Sequence, residues 1–156
     1  MPNKTPLEIS CYQKNFSKSD LAAVSEEVDK NGHLLSTGQC LFHGGHWPGG
    51  TRLTTTRPLS TSLCPQVALR NAEFNAKAYD SGRLDLFVLS ATNPKTRAFA
   101  FKRKGTKLGH ESEVLLATGA HLTLNSEALI RSDYRVGKPG CRSKDISVYV
   151  LDIGLS

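Results

Sequence analysis

Three short segments carry residues whose types and spacing could do chemistry: His43-Gly44, Ser60-Thr61-Ser62 and Glu111-Ser112-Glu113. Side chains alternate along an extended chain, so Glu111 and Glu113 point to one side. Two carboxylates so placed can serve neighbouring parts of one reaction, through proton transfer or by steadying positive charge. Ser60 lacks the glycine-flanked elbow of a serine hydrolase nucleophile. His43 and His46 have no convincing third and fourth partner for zinc, so no metal site is expected. Taken singly, each segment also fits a plain role: a solvated turn, a polar strand, a strand-end histidine with a satisfied hydrogen bond.

These segments need elements to hold them. Ser19 or Asp20 can cap a helix whose Leu21, Val24 and Val28 share one face. Asn31-Gly32 ends it, since glycine tolerates a left-handed turn after a helix. Gln39 to Phe42 is a short strand, and the glycine-rich run His43 to Gly50 is expected as a loop at its end. Leu53 to Thr61 is threonine-rich and extended. A second helix starts around Ser62-Leu63-Cys64-Pro65, with Pro65 suited to the first turn and Ala68, Ala72, Ala76 and Tyr79 on one side. Leu84–Leu89, Ala98–Phe101 and Glu113–Leu116 are strands. A turn at Thr118-Gly119 makes His121–Leu124 the expected hairpin partner of the last. Ile146 to Ile153 is apolar on both faces, which suits a central strand. Segments 1–18 and 126–145 carry the least pattern, apart from a turn at Gly137-Lys138-Pro139-Gly140. The whole is α+β, in one domain over 1–156.

In order and with their flanks, the three segments resemble the ADP-ribosyltransferase family. That family has Arg-Gly or His-Gly at the end of an early strand, Ser-Thr-Ser on a following strand, and Glu-x-Glu opening a later one. The resemblance is strongest over 39–153. It implies two packed small β-sheets with flanking helices, and NAD as co-substrate. It implies that Glu113 is the catalytic carboxylate, that Glu111 faces the acceptor, and that Ser60 braces Glu113 and touches the nicotinamide ribose. Thr61 and Ser62 would support that strand. His43 would contact the adenosine ribose, and the Gly44 backbone would hold the nicotinamide amide. Arg57 and Arg52 are rival contacts for the diphosphate, and Arg70 is expected at the surface. The basic run Lys102 to Lys107 falls where the family's target-recognition loop lies. His-Gly belongs to the poly-ADP-ribose polymerase branch, but that branch has tyrosine where this chain has Ser60. The acceptor is therefore open between arginine and a threonine or serine hydroxyl.

The bulk numbers set the frame. The chain has 156 residues, 38% of them hydrophobic, mean hydropathy of −0.31, a formal charge of +6 and a pI of about 9.3. Such a balance favours anionic partners. No run approaches the roughly 20 apolar residues of a membrane helix. Four cysteines without a Cys-x-x-Cys pair are expected as reduced, partly buried thiols. With the resemblance, these features predict a compact mono-ADP-ribosyltransferase of bacterial toxin or effector type. It would act on a host protein such as actin, a GTPase or ubiquitin, which the sequence does not distinguish. The resemblance implies secretion or injection by a bacterium into the host cytoplasm; Met-Pro-Asn-Lys lacks the apolar core of a secretory signal, and any export segment is expected to belong to a longer protein from which this chain is cut. An NAD glycohydrolase would use the same site. A nucleic-acid or protein-binding module is the reading of another class, with no aromatic platform beside the basic residues to support it.

Overall fold

The computed structural model describes residues 4–101 and 112–156. Four helices and nine strands are present among them: α1 (Leu7–Lys14), α2 (Leu21–Asn31), α3 (Pro65–Glu73) and α4 (Lys77–Ser81), with β1 (His33–Leu34), β2 (Cys40–Gly45), β3 (Arg52–Thr54), β4 (Leu59–Ser62), β5 (Arg83–Ala91), β6 (Arg97–Ala100), β7 (Glu113–Leu116), β8 (His121–Val136) and β9 (Lys144–Leu155). Glu111 and the basic run Lys102–Lys107 lie outside the described residues.

The α2 helix starts as its sequence predicts. Asp20 accepts hydrogen bonds from the Ala22 and Ala23 amides, satisfying two donors that a helix start leaves open. Val24 and Val28 are fully buried. The helix ends at Asn31-Gly32 as expected, but not through a left-handed turn. Gly32 has φ of −85° rather than a left-handed conformation. Glycine is needed there for space, because a Cβ would stand 2.5 Å from the carbonyl oxygens of both Val28 and Ala98. The expected second helix is two. After α3, Phe74–Ala76 forms a 3₁₀ turn and Ala76 takes φ of 59°, so α4 leaves in a new direction.

The strands form one sheet in the order β1-β6-β7-β4-β2-β5-β9-β8-β3. The β5–β9 pair is parallel and every other neighbour antiparallel. The expected two packed sheets are thus one curled sheet. The reason lies at its middle, where β2 and β4 share a single residue pair, Phe42 with Ser62. A sheet so thinly joined bends there as two packed sheets would. One core cluster joins Ala98, Val114 and Leu116 of β6 and β7 to Leu122, Leu151 and Ile153 of β8 and β9. These strands are far apart in the order, so the sheet must curl to bring them together. On the opposite face, Ile9, Tyr12, Val24 and Val28 of α1 and α2 cover Phe99 and Leu115.

Three further expectations are corrected. β2 continues through His43 and Gly44 to Gly45, paired along its length with β5, so the first two motif residues are strand rather than loop. His121–Leu124 does not pair with β7. It opens β8, which pairs with β9 and β3. The Thr55 hydroxyl captures the intervening turn by accepting from the Gly119 and Ala120 amides, which sends the chain across the curl. The four cysteines are free, but Cys11, Cys40 and Cys141 are exposed and only Cys64 is half-buried.

Candidate functional site

Past the Phe42–Ser62 pair, β2 and β4 diverge. The next link is made by a side chain: His43 Nδ1 lies 2.7 Å from the Ser60 carbonyl oxygen. A carbonyl can only accept, so Nδ1 carries the proton and donates. A cavity of about 230 Å³ opens over this split. Its floor is Phe42, His43 and Gly44 on one side and Ser60, Thr61 and Ser62 on the other. Tyr12 and Phe16 form one wall, while Ala68, Asn71, Phe74 and Lys77 form the other.

Glu113 stands beside Ser60 at the start of β7, where it pairs with Ser62. It is 8% exposed. Ser60 Oγ donates to Glu113 Oε1 at 2.7 Å, and Gln13 Nε2 donates to Oε2 at 3.3 Å. Just before it, Ser112 has φ of 49°, an uncommon conformation for a non-glycine residue. The Ser112 carbonyl accepts from the Leu63 amide at 3.1 Å, which ties the entry of β7 to the exit of β4.

Burial holds the His43 pKa below its usual 6.5, and the charges of Lys77 and Arg57 push it the same way against the Ser60 hydrogen bond. The ring is then neutral at pH 7, with Nδ1 as donor and Nε2 as acceptor. Burial and the negative charge of Glu113 raise the Tyr12 pKa, with Arg57 opposing. The sign of the His43 effect follows from linkage. The unfolded chain takes up this proton first, so stability is unaffected above pH 6.5 and falls as pH drops below it. His43→Gln is expected to remove that part of the pH dependence. Urea unfolding of both proteins at pH 8 and 5.5 checks it, and equal losses on acidification would refute the assignment.

Asp85 positions the chain beyond β2. It is fully buried, paired with Gly45, and accepts from Trp47 N at 2.8 Å and from Arg83 Nε at 2.6 Å. His46 Nδ1 lies 3.6 Å from it, which gives His46 a structural partner. No group of metal-binding side chains occurs among the described residues. Asp85→Ala would strand the Trp47 amide and remove the carboxylate from Arg83. It is expected to cost about 2–3 kcal/mol, as for hydrogen bonds to charged groups, measured by urea unfolding.

Of the residues singled out in the sequence, His43, Gly44, Ser60, Thr61 and Ser62 meet at the cavity, with Glu113 against Ser60. Thr61 is buried and donates to the Val114 carbonyl, fastening β4 to β7. Ser62 Oγ accepts from the Cys64 amide at the entry to α3. Arg57 is near enough to influence both His43 and Tyr12, and its guanidinium lies 5.6 Å from the Phe16 ring centre. Arg52 is exposed on β3, the far edge of the sheet, and Arg70 is exposed on α3; neither lines the cavity. Sequence reading missed Tyr12, Gln13, Asn71, Phe74 and Lys77. One signal for the first two was available: Ile9, Tyr12, Gln13 and Phe16 follow the i, i+3, i+4, i+7 spacing of a helix face.

No protein-family model matches the sequence, and no curated protein matches it. Solved structures do match. Vis toxin, an ADP-ribosyltransferase from Vibrio splendidus, is 18% identical and covers 99% of this chain and 63% of its own, with a TM-score of 0.51. The same enzyme in complex with agmatine is 16% identical over 87% of this chain and 56% of that one, at 0.50. BECa, an ADP-ribosylating toxin of a binary enterotoxin of C. perfringens solved with NADH, is 9% identical over 96% and 42%, at 0.54. The chain therefore has the α+β fold of bacterial ADP-ribosyltransferase toxins, and spans less than two thirds of the length of these structures.

Proposed function

We propose that this chain is an NAD-dependent mono-ADP-ribosyltransferase that modifies a side chain of a target protein, as a bacterial toxin or effector would in a host cell. The observation that carries this reading is the Ser60–Glu113 hydrogen bond of 2.7 Å beside a cleft floored by His43 and Gly44. A carboxylate held by a hydroxyl in a largely buried site keeps its orientation. When nicotinamide leaves NAD with the bonding electrons, positive charge develops on the ribose. A preorganised carboxylate beside it stabilises that charge.

The cleft suits a dinucleotide in other respects. Neutral His43 offers Nε2 as an acceptor for a ribose hydroxyl. Lys77 on the cavity wall and Arg57 nearby supply positive charge for the diphosphate; Lys77 is a better-placed contact than Arg52. Phe74, 65% exposed on the same wall, offers a flat apolar face. Glu111 would complete the pair toward the acceptor, taking its proton or orienting a cation. Vis has been solved with agmatine, whose guanidinium group resembles an arginine side chain, so arginine is the acceptor to test first, ahead of a threonine or serine hydroxyl.

The test incubates the purified chain with labelled NAD and either agmatine or host-cell lysate, beside Glu113→Gln. Labelled agmatine or a discrete protein band, lost in the variant, supports the transferase. Glu113-dependent nicotinamide release with free ADP-ribose as the only product would replace it with a glycohydrolase. No turnover and no NAD binding would end the proposal.

A further inference from the structure

α1 is held over the site by more than apolar packing. Its Ile9 amide is one of the donors a helix start leaves without a partner, and Glu27 Oε2 of α2 accepts from it at 2.9 Å. Ile9 and Tyr12 are buried against Phe99, Leu115 and α2. The same face therefore delivers Gln13, half-buried, to Glu113 Oε2. Ser60 takes the other oxygen. A polar residue in the sheet-facing stripe of a short helix costs desolvation unless it finds a partner, and its partner here is the Glu113 carboxylate beside Ser60.

We propose that Gln13 is a positioning residue for Glu113, an inference that rests on the catalytic reading above. Ser60 donates to Oε1 from β4 and Gln13 to Oε2 from α1, and together they fix the plane of the carboxylate. The choice of an amide matters. A lysine or arginine at this place would orient the carboxylate but cancel the negative charge that the reaction uses. Glutamine orients it and leaves that charge intact. α1 is thereby joined to the reaction centre, although it lies outside the three sequence motifs.

The experiment compares Gln13→Met, which keeps the length and packing but removes the donor, and Gln13→Glu, which keeps the shape but sets a like charge against Glu113. Nicotinamide release is measured against NAD concentration. The expected result is a kcat about tenfold lower for Gln13→Met and lower again for Gln13→Glu, with KM for NAD within about twofold in the Met variant, the pattern of an interaction that counts in the transition state. A Met variant as active as the parent, or one changed only in KM, would overturn the proposal. A thermal double-mutant cycle of Gln13→Met with Glu113→Ala, which removes the acceptor outright, reads the contact without catalysis. Coupling of ~1 kcal/mol corresponds to melting shifts that fail to add by about 2–4 °C. Coupling without any NAD turnover would keep the contact and refute the catalytic reading, whereas additive shifts would refute the contact itself.

Discussion

Replacing Glu113 by glutamine is expected to slow nicotinamide release from NAD by roughly 10²–10³-fold, the usual loss when a preorganised electrostatic group is removed from a reaction centre. The change nearly conserves shape, and the local hydrogen bonds can be rebuilt. The Ser60 hydroxyl, 2.7 Å from Oε1, can still donate to the new amide oxygen. The Gln13 amide, now 3.3 Å from Oε2, can turn to present its own oxygen to the new NH₂. The melting temperature should thus move by only a few degrees, and KM for NAD should change little, because the lost interaction is with charge that appears on the ribose as the bond breaks. Nicotinamide quantified by chromatography, with circular dichroism of the same samples, makes the measurement. A variant within tenfold of the parent rate would mean that the carboxylate is structural, holding β7 to β4 and α1.

Local signals in the sequence carried much of this fold. Asp20 followed by Leu21, Val24 and Val28 is legible because a cap and a helical stripe need no distant partner. The run Ile146–Ile153 is apolar on both faces, and β9 does lie between β5 and β8. Failures came where distant residues decide. Alanine at position 76 favours helix, yet Ala76 takes φ of 59° and breaks α3 from α4. A turn at Thr118-Gly119 between two apolar runs signals a hairpin, but Thr55 holds it and sends the chain elsewhere. Gly32 does stop α2, but the glycine is required there by the close approach of the Ala98 carbonyl rather than by a left-handed turn. At the site, the motifs named the floor of the cleft and the Glu113 carboxylate beside it. Its walls come from α1 and the α3–α4 junction, whose residues are ordinary until the sheet bends beneath them. Asp85 was equally hidden, since a lone aspartate in a strand does not announce that it anchors the Trp47 amide.

Gly44→Ala should separate the two halves of the site. A Cβ at position 44 would overlap the Ala68 carbonyl oxygen and stand 2.7 Å from Ala72 Cβ. The worst overlap is with helix backbone, which cannot swing aside as a side chain can. Forced overpacking of this kind costs about 2–3 kcal/mol, or roughly 5–10 °C in melting temperature for a chain of this size. Relief comes by α3 withdrawing from β2. That helix carries Asn71, and Phe74 and Lys77 follow it on the same wall of the cavity. Ser60 and Glu113 sit on β4 and β7, across the split from β2. The variant should therefore bind NAD more weakly, with KM raised severalfold, while kcat at saturating NAD stays within about threefold of the parent. Adding Ala72→Gly should restore little, since it removes the lesser contact and leaves the Ala68 carbonyl in place. If Gly44→Ala melts within 2 °C of the parent, the close approach of α3 to β2 is not what requires glycine here. If kcat falls in step with stability, the wall and the carboxylate form one unit and the division across the β2–β4 split has no functional meaning.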